Sequence, residues 1–216
     1  MSAAATNFWL LTAPFSVLAF LAAGGATGLL LAGAAVAGLA GRWRLARGLA
    51  GIGVGVPALY GIALVLVGFA TPERTVPVGR GKAMCEIDCH LVYSVVRARL
   101  EAAPGGAGHV VRLVTRFDET TIAPWRGNPP LTPNPRWVEL IDERGRRFAP
   151  ATSDWQKALS APLRPGESYE TDLAFRVPKD AEGLRLLVTE SFWPTRLLLG
   201  HENAPFAGRA FLALPF

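Results

Sequence analysis

The first seventy residues carry a pattern of their own. No charged side chain occurs from Met1 to Gly41, and a second uncharged run extends from Leu49 to Ala70. Each exceeds the ~20 apolar residues that cross the hydrocarbon core of a bilayer. The pattern predicts helices over about 14–40 and 49–70, with Pro14 suited to a first helical turn. Pro57 falls inside the second helix, where neighbours in a membrane can re-satisfy the carbonyl it frees. A cleaved leader would need basic residues ahead of ~7–15 apolar ones; here the basic residues follow a longer run. A soluble helical core is disfavoured because nothing in 1–41 supplies a polar face.

From Thr71 the periodicity switches to two. Tyr169, Thr171, Leu173, Phe175 and Val177 share one face, and Ser168, Glu170, Asp172 and Arg176 the other. Between His109 and Phe117, Val111, Leu113 and Phe117 alternate with Arg112 and Arg116. Leu184, Leu186 and Val188 alternate with Arg185 and Thr189. One wet and one buried face is the signature of antiparallel sheet. Further strands are predicted near 89–100, 136–141, 146–149 and 208–215. Turns are predicted at Asp142-Glu143-Arg144-Gly145 and at Leu163-Arg164-Pro165-Gly166, and Ser153–Leu159 admits one helical turn. The fold class that follows is a two-helix transmembrane hairpin followed by an all-β, immunoglobulin-like antiparallel sandwich of about seven strands. Residues 1–70 form the anchor, 71–84 a linker and 85–216 the β-domain.

One stretch interrupts the alternation. Residues 118–135 hold Pro124, Pro129, Pro130, Pro133 and Pro135, and proline cannot serve a central strand. Trp125 and Arg126 sit at the middle of this long loop. They either pin it to the sandwich or form a partner-binding lip.

Half of the 216 residues are hydrophobic and 18% are charged, which excludes a disordered tail. The net charge of +5 at first suggests nucleic acid. Setting aside Arg42, Arg44 and Arg47, however, leaves 19 basic against 17 acidic residues in 71–216, with no concentrated basic stripe. Those three arginines lie together between the two apolar runs. By the positive-inside rule they mark that loop as cytoplasmic and put both termini and residues 71–216 outside, at the inner membrane of a bacterial cell. Gly24 with Gly28, and Gly51 with Gly55, have GxxxG spacing and predict that the two helices pack as a hairpin. The spans hold no Asp, Glu, Lys or His, so transport by this chain alone is not expected.

The suggestive chemistry lies in Met84-Cys85-Glu86-Ile87-Asp88-Cys89-His90. Outside the cytoplasm paired cysteines usually oxidise. In an extended strand residues four apart are separated by ~13 Å, whereas a disulfide needs Cα atoms within ~7 Å. A Cys85–Cys89 disulfide therefore requires a turn at 86–88. The alternative is a soft-metal or thiol-redox site, with Cys85, Cys89 and His90 joined by His201 or His109 around a copper ion. Cytochrome oxidase subunit two also uses a C-x3-C motif after two helices. There a histidine follows four residues after the second cysteine; here His90 follows Cys89 at once and position 93 is Tyr93, so the assignment fails.

A closer resemblance is to bacterial membrane-anchored, immunoglobulin-like domains of unknown function. It rests on Cys85-Glu86-Ile87-Asp88-Cys89-His90-Leu91, on Trp137–Gly145, and on Leu163–Ser168 running into Phe175-Arg176-Val177-Pro178. The resemblance implies architecture and an extracytoplasmic setting, with no catalytic role carried over. G-x-S-x-G, H-E-x-x-H, P-loop and dinucleotide fingerprints are absent from the sequence, and no enzyme is expected. His201-Glu202-Asn203 reads as a turn. Phe192-Trp193-Pro194 reads as a core or membrane-facing aromatic set, or else as a carbohydrate platform. The expected role is a binding or structural module, with the bilayer and another envelope protein as partners and no nucleic acid.

Overall fold

The computed structural model describes residues 8–84, 90–103, 106–121, 126–190 and 193–215. Two compact units emerge. One joins residues 11–72 to 193–208, and the other holds 73–192 and 209–216.

In the first unit, α1 (Phe8–Leu39) and α2 (Trp43–Ala70) are the predicted helices, each extended by six residues at its N-terminal end. Their windows Phe15–Leu39 and Trp43–Ala70 are long and apolar enough to cross a membrane. The bend between them is a Schellman turn. Arg42 N–H donates to Ala37 at 2.8 Å and Gly41 N–H to Gly38 at 3.0 Å, and Gly41 takes the left-handed φ of 73° that a Cβ would strain. Arg42 occupies the turn, while Arg44 and Arg47 begin α2; all three are exposed.

The helices meet along a seam of Ala34 and Ala37 on α1 with Ala46, Gly53 and Leu64 on α2. A Cβ built at Gly53 would come within 3.1 Å of Leu31 Cδ2, and one at Gly33 within 3.4 Å of Leu49 Cδ1. Gly24, Gly28, Gly51 and Gly55 have nothing within 4 Å of such a Cβ. The expected contact through the two GxxxG pairs is thus corrected. The seam runs mainly through other small residues, and those glycines fall off it.

In the second unit nine strands occur among the described residues, where about seven were expected. The five-stranded sheet contains β1 (Arg74–Val76), β5 (Pro135–Ile141), β6 (Arg147–Phe148), β8 (Arg185–Glu190) and β9 (Ala210–Ala213), in the order β1-β9-β8-β5-β6. The four-stranded sheet contains β2 (Lys82–Met84), β3 (Leu91–Ala103), β4 (Gly106–Phe117) and β7 (Ser168–Val177), in the order β2-β3-β4-β7. The two additions, β1 and β2, lie in the stretch read as a linker. Among the described residues β1 with β9 is the one parallel pair, and the other pairs are antiparallel.

The arrangement is sandwich-like. Tyr93, Leu113, Phe117 and Phe175 from one sheet share a buried cluster with Val138, Leu140, Leu186 and Leu212 from the other. Strand β7 follows the alternation read from the sequence, with Thr171, Leu173, Phe175 and Val177 buried. Strand β3 breaks phase. Leu91, Tyr93 and Val95 point inward, the register shifts between Val95 and Arg97, and Ala98 resumes the inner face. A short α3 (Trp155–Ala158) forms where one turn was expected, and the Tyr169 hydroxyl donates to the Leu159 carbonyl at its end, 2.7 Å away.

Two carboxylates organise the polar surfaces. Asp172 accepts a forked pair from its register partner Arg112 at 2.7 and 2.9 Å. That pair offsets the like-charge opposition of Arg97 and Arg112 on the other side. Asp142 closes the β5–β6 turn, taking the Arg146 backbone N–H at 2.8 Å and the Arg146 Nε at 2.6 Å. Hydrogen bonding to Arg112 holds the Asp172 carboxyl below its ordinary range. At Asp142 burial pushes upward, and the combined bonds and charge of Arg146 outweigh it.

Two outcomes are expected. Leu140→Ala, at a fully buried position, costs about 2–5 kcal/mol of stability in urea unfolding. For the lowered carboxyls, stabilisation is complete above the unfolded aspartate value of about 3.9 and is lost as pH falls through the folded values. The urea midpoint therefore holds from pH 7 to about 5 and drops below about 4. The drop is smaller in Asp172→Asn; an equal drop contradicts the assignment.

Candidate functional site

The least expected side chain of the β unit is Lys82. It is 1% exposed, and its Nζ donates to the carbonyls of Val188 at 2.7 Å and Ala210 at 2.8 Å. The donor comes from the edge strand of one sheet and the acceptors from two strands of the other. The β8–β9 ladder runs through Arg185↔Ala213 and Leu186↔Leu212. Continued by two residues, that register would oppose Val188 to Ala210. The pairing ends before that point, and the ammonium bridges the two carbonyls instead. Removing an ammonium from water costs several kcal/mol, which charge-assisted bonds to two carbonyl dipoles offset.

Lys82 sits two residues from Met84, and Met84 is the register partner of Leu91. The described residues on either side of 85–89 therefore lie side by side at one end of the four-stranded sheet. There the His90 ring stacks on Phe117 at 5.4 Å, and the Asp118 N–H donates to the His90 carbonyl at 2.7 Å. Asp118 caps the short 3-10 turn Glu119–Thr121 by accepting from Thr120 N and Oγ1 at 3.0 and 2.7 Å. The Arg126 guanidinium lies 4.8 Å from the Phe117 ring centroid, and its Nη1 donates to the Pro129 carbonyl at 3.1 Å. Leu131 and Leu163 exchange backbone bonds of 2.8 Å each way. The proline-rich loop is thus held at Arg126 and Leu131.

The predicted site residues are placed as follows. Cys85 and Cys89 lie outside the described residues, as does Trp125. The expected Cys85–Cys89 disulfide is corrected and withdrawn: no disulfide occurs among the described residues. No group of three or more His, Cys, Asp or Glu residues able to hold a metal occurs among the described residues. His90 belongs to the β unit and is stacked on Phe117. His201 belongs to the helical unit, where its Nδ1 accepts the Asn203 N–H at 3.0 Å, as a turn-forming histidine does. His109 is buried on β4 opposite Phe175.

Lys82 was missed by sequence reasoning because lysine is ordinarily a surface residue. The available signal was its phase, two positions from the core residue Met84. Comparisons with protein-family models, with curated proteins and with solved structures find no match for this chain.

Lys82→Met keeps the volume and removes the donor. It is expected to cost about 1–3 kcal/mol for each carbonyl left without it, and to speed amide exchange at the ends of β8 and β9. Wild-type stability together with wild-type exchange contradicts the clamp.

Proposed function

We propose that the chain is a membrane-anchored, extracytoplasmic binding or structural module of the bacterial cell envelope, without catalysis of its own. The observation that carries this reading is the exposure of the helical surface. Leu29, Leu39, Leu59 and Leu66 all stand outside the helix seam on helices of spanning length. Lipid is the medium in which such a surface is stable.

The orientation is supported by the three exposed arginines at the hairpin bend, which favour the cytoplasmic face and leave the β unit outside. The immunoglobulin-like reading is supported by the two packed sheets and by the turns Pro165-Gly166 and Asp142–Gly145. Gly145 and Gly166 adopt φ of 75° and 83° where those turns were expected. A module role is supported by polar surfaces organised as paired charges. A second envelope protein is the partner this reading implies.

The test is a pair of fusions after Phe216 in a bacterial host. Alkaline phosphatase is expected to be active and a cytoplasm-dependent fluorescent protein dark. The opposite pattern overturns the orientation and the envelope role.

A further inference from the structure

Between β8 and β9 the chain leaves the sheet, and residues 193–208 group with the helices. This segment is irregular: a 3-10 turn, Trp193–Leu197, followed by tight turns. Its amides are largely used within it. Leu198 N–H donates to Thr195 at 3.3 Å, His201 to Leu198 at 3.2 Å, Ala204 to His201 at 2.9 Å and Ala207 to Ala204 at 3.2 Å. The Asn203 side chain donates to Thr195 Oγ1 at 3.2 Å. Two carbonyls of the segment are taken by helix hydroxyls: Leu197 accepts from Tyr60 at 2.7 Å and Leu199 from Ser16 at 2.8 Å.

Those two hydroxyls fix a depth. Ser16 lies eight positions after the start of α1 at Phe8, about 12 Å at 1.5 Å per residue. Tyr60 precedes the end of α2 at Ala70 by ten positions, about 15 Å at 1.5 Å per residue. Non-helical backbone is tolerated at membrane depth only where its polar groups find partners in the protein. The carbonyls of Leu197 and Leu199 and the amides of Leu198, His201, Ala204 and Ala207 meet that condition. The segment also approaches α2 at backbone distance, because a Cβ built at Gly68 would overlap the Pro205 carbonyl oxygen.

Its outer side is apolar. Trp193 is 67% exposed and Phe206 64% exposed. Phe206 stacks on Phe69 of α2 at 4.6 Å and 14°, and Phe69 is itself exposed, so the two rings continue the apolar surface of the helix. Arg196 and Glu202 are the charged residues of 193–208. They suit the headgroup layer rather than the hydrocarbon centre.

We propose that residues 193–208 form a collar in the outer leaflet, reaching from the interfacial layer at Phe206 into the acyl region beside Tyr60 and Ser16, with Trp193 and Phe206 against lipid. The collar rests on the reading of α1 and α2 as membrane helices. It makes the connection between the last two strands a second membrane-contacting element.

The test uses the full chain in phosphatidylcholine vesicles whose acyl chains are brominated at carbons 6,7 or at 11,12. The Trp193 contribution is the wild-type tryptophan emission minus that of Trp193→Phe. It is expected to be quenched at least twofold more by the shallow bromines than by the deep ones, and to be shielded from aqueous acrylamide. Gly68→Val, which displaces the Pro205 turn, is expected to reduce the bromine quenching. A Trp193 component quenched by acrylamide and untouched by either bromolipid overturns the collar. Alkaline carbonate extraction of the same vesicles separates the two readings. Release of the protein overturns the membrane anchor and the collar with it, whereas retention with a water-quenched Trp193 overturns the collar alone.

Discussion

The constraint on which the rest depends is the absence of any charge from the apolar spans and the outward direction of their large side chains. A helix that is hydrophobic all round must be covered by protein or by lipid. The small-residue seam of Ala34, Ala37, Ala46 and Gly53 uses only one stripe of each helix. What remains exposed is what a bilayer covers. Once the hairpin is assigned to lipid, the exposed arginines Arg42, Arg44 and Arg47 at its bend are the residues on which the proposed orientation rests.

The β unit solves a different problem, that of joining two sheets. Its core is continuous across them, from Tyr93 and Phe117 to Leu140 and Leu212. Lys82 adds a polar link at the place where β8 and β9 stop pairing. The ammonium takes the carbonyls that a longer ladder would have opposed. A buried cation is a costly way to fill that gap, but it ties three strands from two sheets at a single point.

The sequence was readable where a single physical rule acts alone. Uncharged length disclosed the hairpin, and period-two alternation disclosed β7 and the inner face of β4. It was less readable where partners are remote. The GxxxG spacing of Gly24 and Gly28 says that close approach is available, not which face meets the other helix, and the seam runs elsewhere. The bulge after Val95 is silent because Val96 and Arg97 each suit a strand in either phase. The grouping of 193–208 with the helices depends on the Ser16 and Tyr60 hydroxyls, more than a hundred positions away in the chain. Of the candidate site, His90, Arg126 and His201 proved to be packed into their own units. Lys82 went unnoticed because burial of a lysine depends on carbonyls that only the folded sheets bring together.

The most direct measurement of the central claim is the collisional accessibility of spin labels placed singly along α2 from Ile52 to Leu66 in reconstituted bilayers. The account predicts high access to oxygen and low access to a polar nickel chelate throughout, with the contrast greatest near the middle. Nickel access that rises and falls every three to four residues, as on a water-exposed helix face, would contradict it.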